Sequence, residues 1–273
     1  MTRLAAADIC GLRADLAGYD AHLRRLCGQG LLGVAAHAAC LLGQVGSEAV
    51  LPERLTVAAI AVSYGEGMIE GFAESLAAIC GFLGADAFVT EQTNIMGLAE
   101  AVQGGADIIM LSDDDDLVAL NPAQKRFAHN SPATGRAFAA ALALAAGGFS
   151  DREVLVIGAG PVGAAAAAFI HERGGTAIIH DQSRQTAARL AAALPGATIA
   201  TDLKEAMRRH DLVIEATPSA DVIKSAWLRR AHRIAAPGVP LGVEDDGGAS
   251  GALILHDTLA LGVATMLCQA IGR

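Results

Sequence analysis

Three glycines at a fixed spacing lie past the middle of this 273-residue chain. In VLVIGAGPVG they follow a Val, Leu and Ile run and precede an alanine-rich stretch. In such a strand, turn and helix, the first glycine permits a tight turn, the second admits a pyrophosphate and the third lets the helix cross closely. The helix N-terminus adds unpaired N–H groups and a positive dipole end. The motif predicts dinucleotide binding by Gly158, Ala159, Gly160, Pro161, Val162 and Gly163.

An acidic residue stands about twenty residues further on, where the motif expects one. Asp181, followed by Gln182, ends the next predicted strand. A carboxylate there accepts a hydrogen bond from a ribose 2′-hydroxyl and repels a 2′-phosphate, so NAD is predicted over NADP, although Arg184 keeps NADP open. Thr217 and Pro218 follow a later strand. They are candidate contacts of the nicotinamide end, with ordinary turn chemistry as the equal alternative.

A run of carboxylates, SDDDD at Ser112–Asp116, follows a buried strand of the first half. Adjacent carboxylates repel one another unless water solvates them or a cation pairs with them. The run fits a solvated turn, an amine-binding site with one carboxylate of raised pKa, or a divalent cation site. We favour the amine and expect no metal, because removing a hydride from an amine carbon needs no Lewis acid. The eight histidines show no zinc-type spacing.

Further polar residues follow other predicted strands. Ser63 comes after the first strand, Glu244 after a late strand, and His256 and Asp257 at the last one, while Asn130 precedes a long helix. The carboxyl edge of an open α/β sheet is where ligands bind. One arrangement would bring such edges of both halves to a shared cleft, with the cofactor on one wall and the substrate on the other.

Alternating apolar strands and amphipathic helices must position these residues. In the first half, the pattern predicts helices over Ala5–Cys27, from Leu31 to about Leu42, and over Met68–Leu83, Asn94–Gln103 and Pro132–Ala146. Its predicted strands are Leu55–Val62, Ala87–Thr90 and Asp107–Leu111, followed by a hairpin-like excursion, LVALN and KRFAHN. This alternation is typical of βαβ units with a mainly parallel sheet.

The second half repeats the alternation more cleanly. Its predicted strands are Val154–Ile157, Thr176–His180, Ala197–Thr201, Asp211–Ala216, Val239–Val243 and a last short one. We therefore predict an α/β fold in which a C-terminal Rossmann-type doubly wound parallel sheet follows a smaller N-terminal α/β domain with leading helices. The predicted domains are residues 1–148 for substrate and 149–273 for NAD, with the last helix packing back on the first domain.

Composition narrows the class of protein. A formal net charge of −9 argues against a nucleic-acid partner, because such surfaces need clustered Lys and Arg. The five cysteines are an odd number with no metal or redox spacing, and no apolar run suits a signal peptide or a membrane span. We expect a cytoplasmic protein with a cationic small-molecule partner, no nucleic acid and no membrane. A homodimer is left open.

Several segments, in order, resemble the PylD family of pyrrolysine-forming dehydrogenases. The resemblance rests on SYGEGMIEGFAES, AFVTEQTNIMGLAEA, GADIIMLSDDDDLVALN, HNSPATGRAFAAALALAAGG, VLVIGAGPVG and HDTLALGVATM. It covers most of the chain from about Ala58 onward. At Asp116 the chain departs from the basic residue expected of the family.

The resemblance implies an NAD-dependent oxidation of L-lysine-Nε-3-methyl-D-ornithine at the carbon that bears the terminal amine of the ornithine part. Loss of ammonia and closure of a pyrroline ring would follow. It makes Asp113, Asp114 and Glu244 the candidate catalytic acids. Ser63 and Asn130 become candidate hydrogen-bond partners of the substrate, and His256 and Asp257 would close the site.

Two other functions stay open. A two-domain amino-acid or shikimate-type dehydrogenase acting on a smaller substrate should have a catalytic lysine in the first half, where Lys125 is the only lysine and lies away from the predicted strand ends that bind ligands. A protein that senses NAD without turning it over would bind the cofactor tightly and would tolerate changes at Asp113 or Ser63.

Overall fold

The computed structural model describes residues 4–41, 50–245 and 247–272. It divides the chain into two compact units, which we call unit 1 and unit 2. Unit 1 comprises Met1–Arg25, Gln29–Ala133 and Leu259–Arg273, and unit 2 comprises Leu26–Gly28 and Thr134–Thr258. None of the described helices has the length and apolar character needed to cross a lipid bilayer.

Short helices precede, interrupt and follow the strands of the first part of the chain. The helices are α1 (Ala6–Ile9), α2 (Leu12–Cys27), α3 (Leu31–Ala38), α4 (Phe72–Phe82), α5 (Asn94–Gln103) and α6 (Asn130–Ala146). The strands are β1 (Thr56–Ile60), β2 (Asp86–Val89), β3 (Ile108–Ser112), β4 (Leu117–Asn121) and β5 (Arg126–His129). The chain passes from unit 1 to unit 2 within α6.

The sheet of unit 1 has the strand order β2-β1-β3-β4-β5. Strands β2 and β3 run parallel to β1, and crossover helices α4 and α5 make this possible. Strands β4 and β5 are antiparallel and extend the same sheet, so LVALN and KRFAH continue it rather than leave it. The acidic residues 113–116 are therefore the loop of the β3–β4 hairpin.

One apolar helix closes the core of unit 1. Helix α10 (Ala260–Ile271) packs against α3, α4, β4 and β5. Ten of its twelve residues are buried, as expected of a helix that is apolar on every side. The side-chain amide of Asn121 in β4 donates a hydrogen bond to the carbonyl oxygen of Ala270 (3.1 Å). The C-terminal segment is therefore an interior element of unit 1.

Unit 2 alternates strands and helices regularly. The helices are α7 (Pro161–Glu172), α8 (Arg184–Ala193) and α9 (Leu203–Arg209). The strands are β6 (Glu153–Ile157), β7 (Thr176–His180), β8 (Thr198–Ile199), β9 (Leu212–Glu215), β10 (Arg233–Ala236) and β11 (Leu253–His256). Ser183 and Asp202 cap α8 and α9 by accepting bonds from the third amide beyond each cap.

The sheet of unit 2 is entirely parallel, with the strand order β11-β10-β9-β6-β7-β8. Numbered within the unit, this is the 3-2-1-4-5-6 order of the doubly wound dinucleotide fold. Strands β7 and β8 are added on one side of β6, and strands β9, β10 and β11 are added on the other side. The order of strands therefore reverses between β6 and β9, and the carboxyl ends of these two strands are the topological switch point. The predicted fold class is confirmed.

Helix lengths in unit 1 differ from the sequence prediction where the backbone leaves helical space. The helix predicted over Ala5–Cys27 is two helices, since Gly11 has a φ of 83° between them. The helix predicted from Met68 begins only at Phe72, after Gly71 with a φ of 77°. Helix α3 ends at Ala38, and the predicted end near Leu42 lies outside the described residues.

One predicted strand of unit 2 is wrong. Val239–Val243 forms no strand, and the tenth strand is Arg233–Ala236 instead. Pro237 and Pro240 lack the N–H groups that a central strand needs, so the ladder cannot run through this segment. Only Val243 pairs, through an isolated bridge to Ile223. The strand predicted over Ala197–Thr201 shrinks to Thr198–Ile199. The predicted domain limits at residues 148 and 149 stay a prediction.

Candidate active site

The glycine loop, Gly158–Gly163, has the backbone that the motif requires. Gly158 has a φ of 93°, and a Cβ there would lie 2.7 Å from the carbonyl oxygen of Ala216. A Cβ on Gly163 would overlap the carbonyl oxygen of Gly158, so only glycine allows α7 to pass this close to the loop. A Cβ on Gly160 would meet nothing within 4 Å, which leaves open space beside the N-terminus of α7. These features fit a bound pyrophosphate.

Asp181 is fixed against the same loop. Its Oδ2 accepts a hydrogen bond from the amide of Ala159 (2.7 Å), and its Oδ1 accepts one from the amide of Ser183 (2.7 Å). The carboxylate thus ties the glycine loop to the start of α8, while Gln182 between them is exposed. A carboxylate held at this position fits the recognition of a ribose hydroxyl.

Thr217 and Pro218 lie in the loop after β9. Glu215, which was not predicted from the sequence as a site residue, fixes this loop. Glu215, the last residue of β9, is fully buried. Its Oε1 accepts bonds from the amide of Thr217 (2.9 Å) and from the Thr217 hydroxyl. The available signal was a carboxylate that ends the apolar run LVIE.

The acidic turn, Asp113–Asp116, is ordered by its own backbone. The amide of Asp113 donates to the carbonyl oxygen of Asp116 (3.0 Å), and Asp113 Oδ1 accepts from the amides of Asp115 and Asp116 (2.9 Å each). The bonds from Asp116 and Asp115 lower the pKa of Asp113. The raised pKa that we expected in this run is therefore wrong for Asp113. All four side chains are exposed.

Asp114 connects the acidic turn to the loop after β1. Its Oδ2 accepts a hydrogen bond from the amide of Glu66 (2.9 Å). Gly65 has a φ of 69°, and a Cβ there would overlap the Asp114 carboxylate. Glycine at position 65 is therefore required twice, for its backbone angle and for the close approach of the carboxylate.

A shallow, open recess lies at this edge of the unit 1 sheet. We call it the apolar recess, because most of its lining residues have aliphatic or aromatic side chains, although the surface exposed in it is more polar than apolar. It is lined by Ile60, Ala61, Val62, Tyr64, Gly67, Met68, Ile69, Phe72, Ala73, Ser112, Asp113 and Asp114. Two candidate catalytic acids thus share one site with apolar residues that the sequence did not mark as functional.

Ser63 stands beside this recess and is engaged by a residue that we did not predict. Asn94, the first residue of α5, accepts a hydrogen bond from the Ser63 amide and donates one to the Ser63 hydroxyl (2.8 Å each). Asn94 has a φ of 56°, which asparagine tolerates better than most residues. The signal was an asparagine at a predicted helix start.

Asn130 is buried at the first position of α6, in unit 1. The other candidates, Glu244, His256 and Asp257, belong to unit 2. Glu244 Oε2 accepts bonds from the amide (2.7 Å) and hydroxyl (2.8 Å) of Ser225, which lower the pKa of Glu244. His256 Nδ1 lies 2.7 Å from the carbonyl oxygen of Ala236. Both side chains thus have structural partners within their own unit.

The described residues contain no group of three or more His, Cys, Asp or Glu side chains arranged to hold a metal ion. Within the acidic turn, Asp116 instead lies 3.8 Å from Nδ1 of His129, with both side chains about half exposed. The arrangement offers an organic cation a set of carboxylate oxygens beside an apolar wall.

Two family models match the chain in succession. Residues 16–128 match the N-terminal domain of pyrrolysine biosynthesis protein PylD. Residues 141–237 match the shikimate / quinate 5-dehydrogenase model. The first match contains the acidic turn and the apolar recess, and the second contains the glycine loop and Thr217.

Relatives match over nearly their full length. The chain is 29% identical to a pyrrolysine synthase of Methanosarcina acetivorans over 98% of each chain, and 28% identical to a pyrrolysine synthase of Methanosarcina barkeri over 99% of this chain and 98% of that one. Among solved structures it resembles a quinate dehydrogenase of Corynebacterium glutamicum (TM-score 0.54, 14% identity, 80% of this chain and 92% of that one). This last likeness supports the fold. The chain is thus similar to the PylD N-terminal domain over residues 16–128 and to the two pyrrolysine synthases over nearly its whole length.

Proposed function

We propose that this protein is an NAD-dependent dehydrogenase that converts L-lysine-Nε-3-methyl-D-ornithine to pyrrolysine. The observation that carries the proposal is the apolar recess with two aspartates at its edge, in a chain whose other unit holds a complete dinucleotide motif. The relatives named pyrrolysine synthase support the choice of substrate. We propose that the enzyme is cytoplasmic and acts on a free small molecule.

The recess suits an aliphatic chain that ends in an ammonium group. Val62, Met68 and Phe72 offer apolar surface to methylene groups. The Asp113 carboxylate, which is ionised at neutral pH like any exposed aspartate, offers a hydrogen-bonding partner of opposite charge. A neutral or acidic substrate would gain nothing from this turn.

The two aspartates divide the work. A carboxylate of lowered pKa is a weak base and a good anchor, so Asp113 holds the terminal ammonium. Asp114 then accepts the proton that this ammonium loses, because hydride leaves a carbon more easily when its nitrogen is neutral. Ser63 and Asn130 hydrogen-bond polar groups of the substrate. Glu244, His256 and Asp257 are proposed to act from unit 2.

The proposed reaction has three steps, namely oxidation of the amine, hydrolysis of the imine and ring closure. NAD, when bound, supplies a hydride acceptor. The amine carbon gives up a hydride and its nitrogen a proton, which leaves an imine. Water adds to the imine and releases ammonia, which gives an aldehyde. The α-amine of the ornithine part attacks this carbonyl and expels water, closing the pyrroline ring.

NAD is proposed over NADP because of Asp181. Its fixed carboxylate accepts a hydrogen bond from a free 2′-hydroxyl and repels a phosphate at the same position. The N-terminus of α7 and the glycine loop would hold the pyrophosphate, with Gly160 leaving the space. The quinate dehydrogenase of similar fold was solved in complex with NAD.

A shikimate-type reaction is the alternative favoured by the family match of residues 141–237. It needs a catalytic lysine near the substrate, and Lys125 is the only candidate in the first half. Lys125 lies in the β4–β5 turn, whereas the acidic turn joins β3 to β4. Successive hairpin turns lie at opposite ends of a sheet, so Lys125 is far from the recess. Shikimate and quinate should therefore not be turned over.

The test is an assay with the purified protein, the lysine–methylornithine conjugate and NAD. We expect NADH absorbance to rise while mass spectrometry detects the pyrroline product. Asp113→Asn should lower kcat/KM by about 10²-fold or more, since it removes the charge that anchors the ammonium. The dissociation constant for NADH should stay near the wild-type value.

Asp115→Asn is the matched control, because it makes the same change in the same turn at a position that does not line the recess. It should retain most of the activity. Equal losses in both variants would mean that only the bulk charge of the turn matters. Full activity in Asp113→Asn would contradict the proposed anchor.

A further inference from the structure

A carboxyl group is buried at the switch point of unit 2, where the mechanism above does not use it. Glu215 has no exposed surface and ends β9, whose register places it beside Ile157 at the end of β6. Within the described part of the chain, its Oε2 has no partner in regular hydrogen-bond geometry, although the backbone of Gly242 also interacts with the carboxyl group. Burying a carboxyl group with an unpaired oxygen costs free energy, and such groups in folded proteins call for an explanation.

The carboxyl group contacts two separate loops. On one side, its Oε1 accepts both hydrogen bonds from Thr217, in the loop after β9. On the other side, it occupies space that side chains at positions 238 and 242 would need. A Cβ on Gly242 would overlap the carboxyl group, whereas a Cβ on Gly238 would first overlap the carbonyl oxygen of Thr217 and would lie 3.0 Å from Oε2. The residue thus fixes the loop after β9 and supports the loop after β10.

Both loops lie where the far end of a dinucleotide is expected. The loop after β9 touches the glycine loop, since Ala216 donates its amide to the carbonyl oxygen of Ile157 (2.8 Å) and a Cβ on Gly158 would approach Ala216. In a doubly wound sheet the pyrophosphate crosses the switch point at this position. With Asp181 beyond β7 receiving the adenosine half, the nicotinamide half extends over β9 and β10.

We propose that Glu215 is a positioning residue for the nicotinamide end of the cofactor. Its carboxyl group holds Thr217 and packs against Gly238 and Gly242, so that the loops after β9 and β10 together form one preformed binding surface. We call this surface the nicotinamide seat. This inference rests on the proposed function for the identity of the cofactor. It adds a residue that acts through Thr217 and touches neither substrate nor coenzyme.

Burial raises the pKa of Glu215, and the bonds from Thr217 and from the Gly242 backbone oppose this shift only in part. The neutral acid suits the site, because it keeps the Oε1 acceptor for Thr217 and removes the buried charge. Glutamine keeps the same acceptor and nearly the same shape. Glu215→Gln should therefore preserve the seat, whereas Glu215→Ala should lose it.

The experiment compares two ligands on each purified full-length variant. NADH carries the nicotinamide ring into the nicotinamide seat, whereas ADP-ribose has the adenosine, the pyrophosphate and the second ribose and lacks only that ring. In Glu215→Ala we expect the NADH dissociation constant to rise about ten-fold, the effect of losing one to two hydrogen bonds, with ADP-ribose binding unchanged. Glu215→Gln should restore NADH binding to within about three-fold of wild type.

Glu205→Gln is the control, because Glu205 is a carboxylate of the same unit that pairs with Arg208 and Arg209 on α9, outside the motif. It should change neither ligand. Equal weakening of NADH and ADP-ribose in Glu215→Ala would show that Glu215 merely stabilises unit 2, and would overturn the inference. NADH binding that matches wild type would overturn it as well.

If Glu215→Ala fails to fold, Thr217→Val replaces it, since valine keeps the volume and removes one of the two donors. NADH binding weakened several-fold with intact ADP-ribose binding supports the inference, and unchanged NADH binding overturns it. Failure of the wild-type protein to bind either ligand would overturn the dehydrogenase proposal itself. A wild-type enzyme that forms pyrroline and is insensitive at position 215 would overturn this inference alone.

Discussion

At the scale of single residues, the proposed roles of carboxyl groups differ between the two units. Asp113 is exposed, and backbone amides lower its pKa further, which suits a charged anchor for a cation. Glu215 is buried and favours its neutral form, which suits a fixed hydrogen-bond acceptor. Asp181 lies between these cases, with both oxygens engaged by amides of the nucleotide motif. The environment, and not the residue type, sets each part.

Asp181 should decide the choice of cofactor. In Asp181→Asn the repulsion of a 2′-phosphate is lost while one oxygen remains for a backbone amide. We expect the ratio of the NADPH to the NADH dissociation constant to fall about ten-fold, as measured by fluorescence titration. Asp202→Asn makes the same change at the cap of α9 and should leave the ratio unaltered. An unchanged ratio in Asp181→Asn would remove Asp181 from cofactor selection.

At the scale of elements, the glycines of the glycine loop are needed for different physical reasons. Gly163 is needed because α7 passes against the carbonyl oxygen of Gly158, whereas Gly160 borders open space. The same close approach recurs where α6 meets α7, since a Cβ on Gly135 would overlap the carbonyl oxygen of Val162. Within the six residues of the glycine loop, one glycine is therefore needed for helix packing and another for ligand space.

Alanine at these two positions should separate folding from binding. Gly163→Ala should lower the free energy of unfolding by about 1–3 kcal/mol, because the methyl group has no room, and urea titration measures this. Gly160→Ala should unfold like the wild type but bind NADH at least about ten-fold more weakly, because its methyl group fills space meant for the phosphates. Wild-type stability in Gly163→Ala would contradict the crossing, and wild-type NADH binding in Gly160→Ala would contradict the phosphate site.

At the scale of the whole molecule, stability should depend on pH through buried histidines. His232 is fully buried, and its Nδ1 accepts a bond from the Arg229 amide (3.2 Å). Its Nε2 lies 2.9 Å from the carbonyl oxygen of Met207 and 3.1 Å from Nε of the Arg229 guanidinium, whose charge also disfavours the protonated ring. This arrangement suits the neutral ring with its proton on Nε2. Burial lowers the pKa of His232, which the Met207 carbonyl opposes only in part. The unfolded chain therefore binds a proton at a higher pH than the folded chain does.

The stabilising contribution of neutral His232 is complete above the ordinary histidine pKa of about 6.5 and is lost as the pH falls below it. We expect the free energy of unfolding to be about 1 kcal/mol lower at pH 5.5 than at pH 7.5, as measured by urea titration. His232→Gln should reduce this difference, while His171→Gln, at an exposed position, should keep it. An equal pH dependence in wild type and His232→Gln would contradict the assignment.

The sequence by itself determined what local spacing encodes. The glycine motif, the start of α7 at Pro161, the acidic residue after β7 and the alternation of strands and helices all depend on neighbours in the chain. The order of segments also indicated the resemblance to the PylD family, and the acidic run lies within the stretch that matches the PylD N-terminal domain. The prolines and glycines that end strands and helices were visible too, but their effect was not taken into account. A strand was therefore predicted over Val239–Val243, and α4 was predicted to begin too early.

Only the tertiary structure decided what distant residues do to one another. Asn94 reaches Ser63, Asp114 reaches Glu66, and the walls of the recess come from separate strands and loops. The lowered pKa of Asp113 and the raised pKa of Glu215 follow from backbone donors and burial. Burial and hydrogen bonding are properties of the folded chain, so no periodicity in the sequence could supply them.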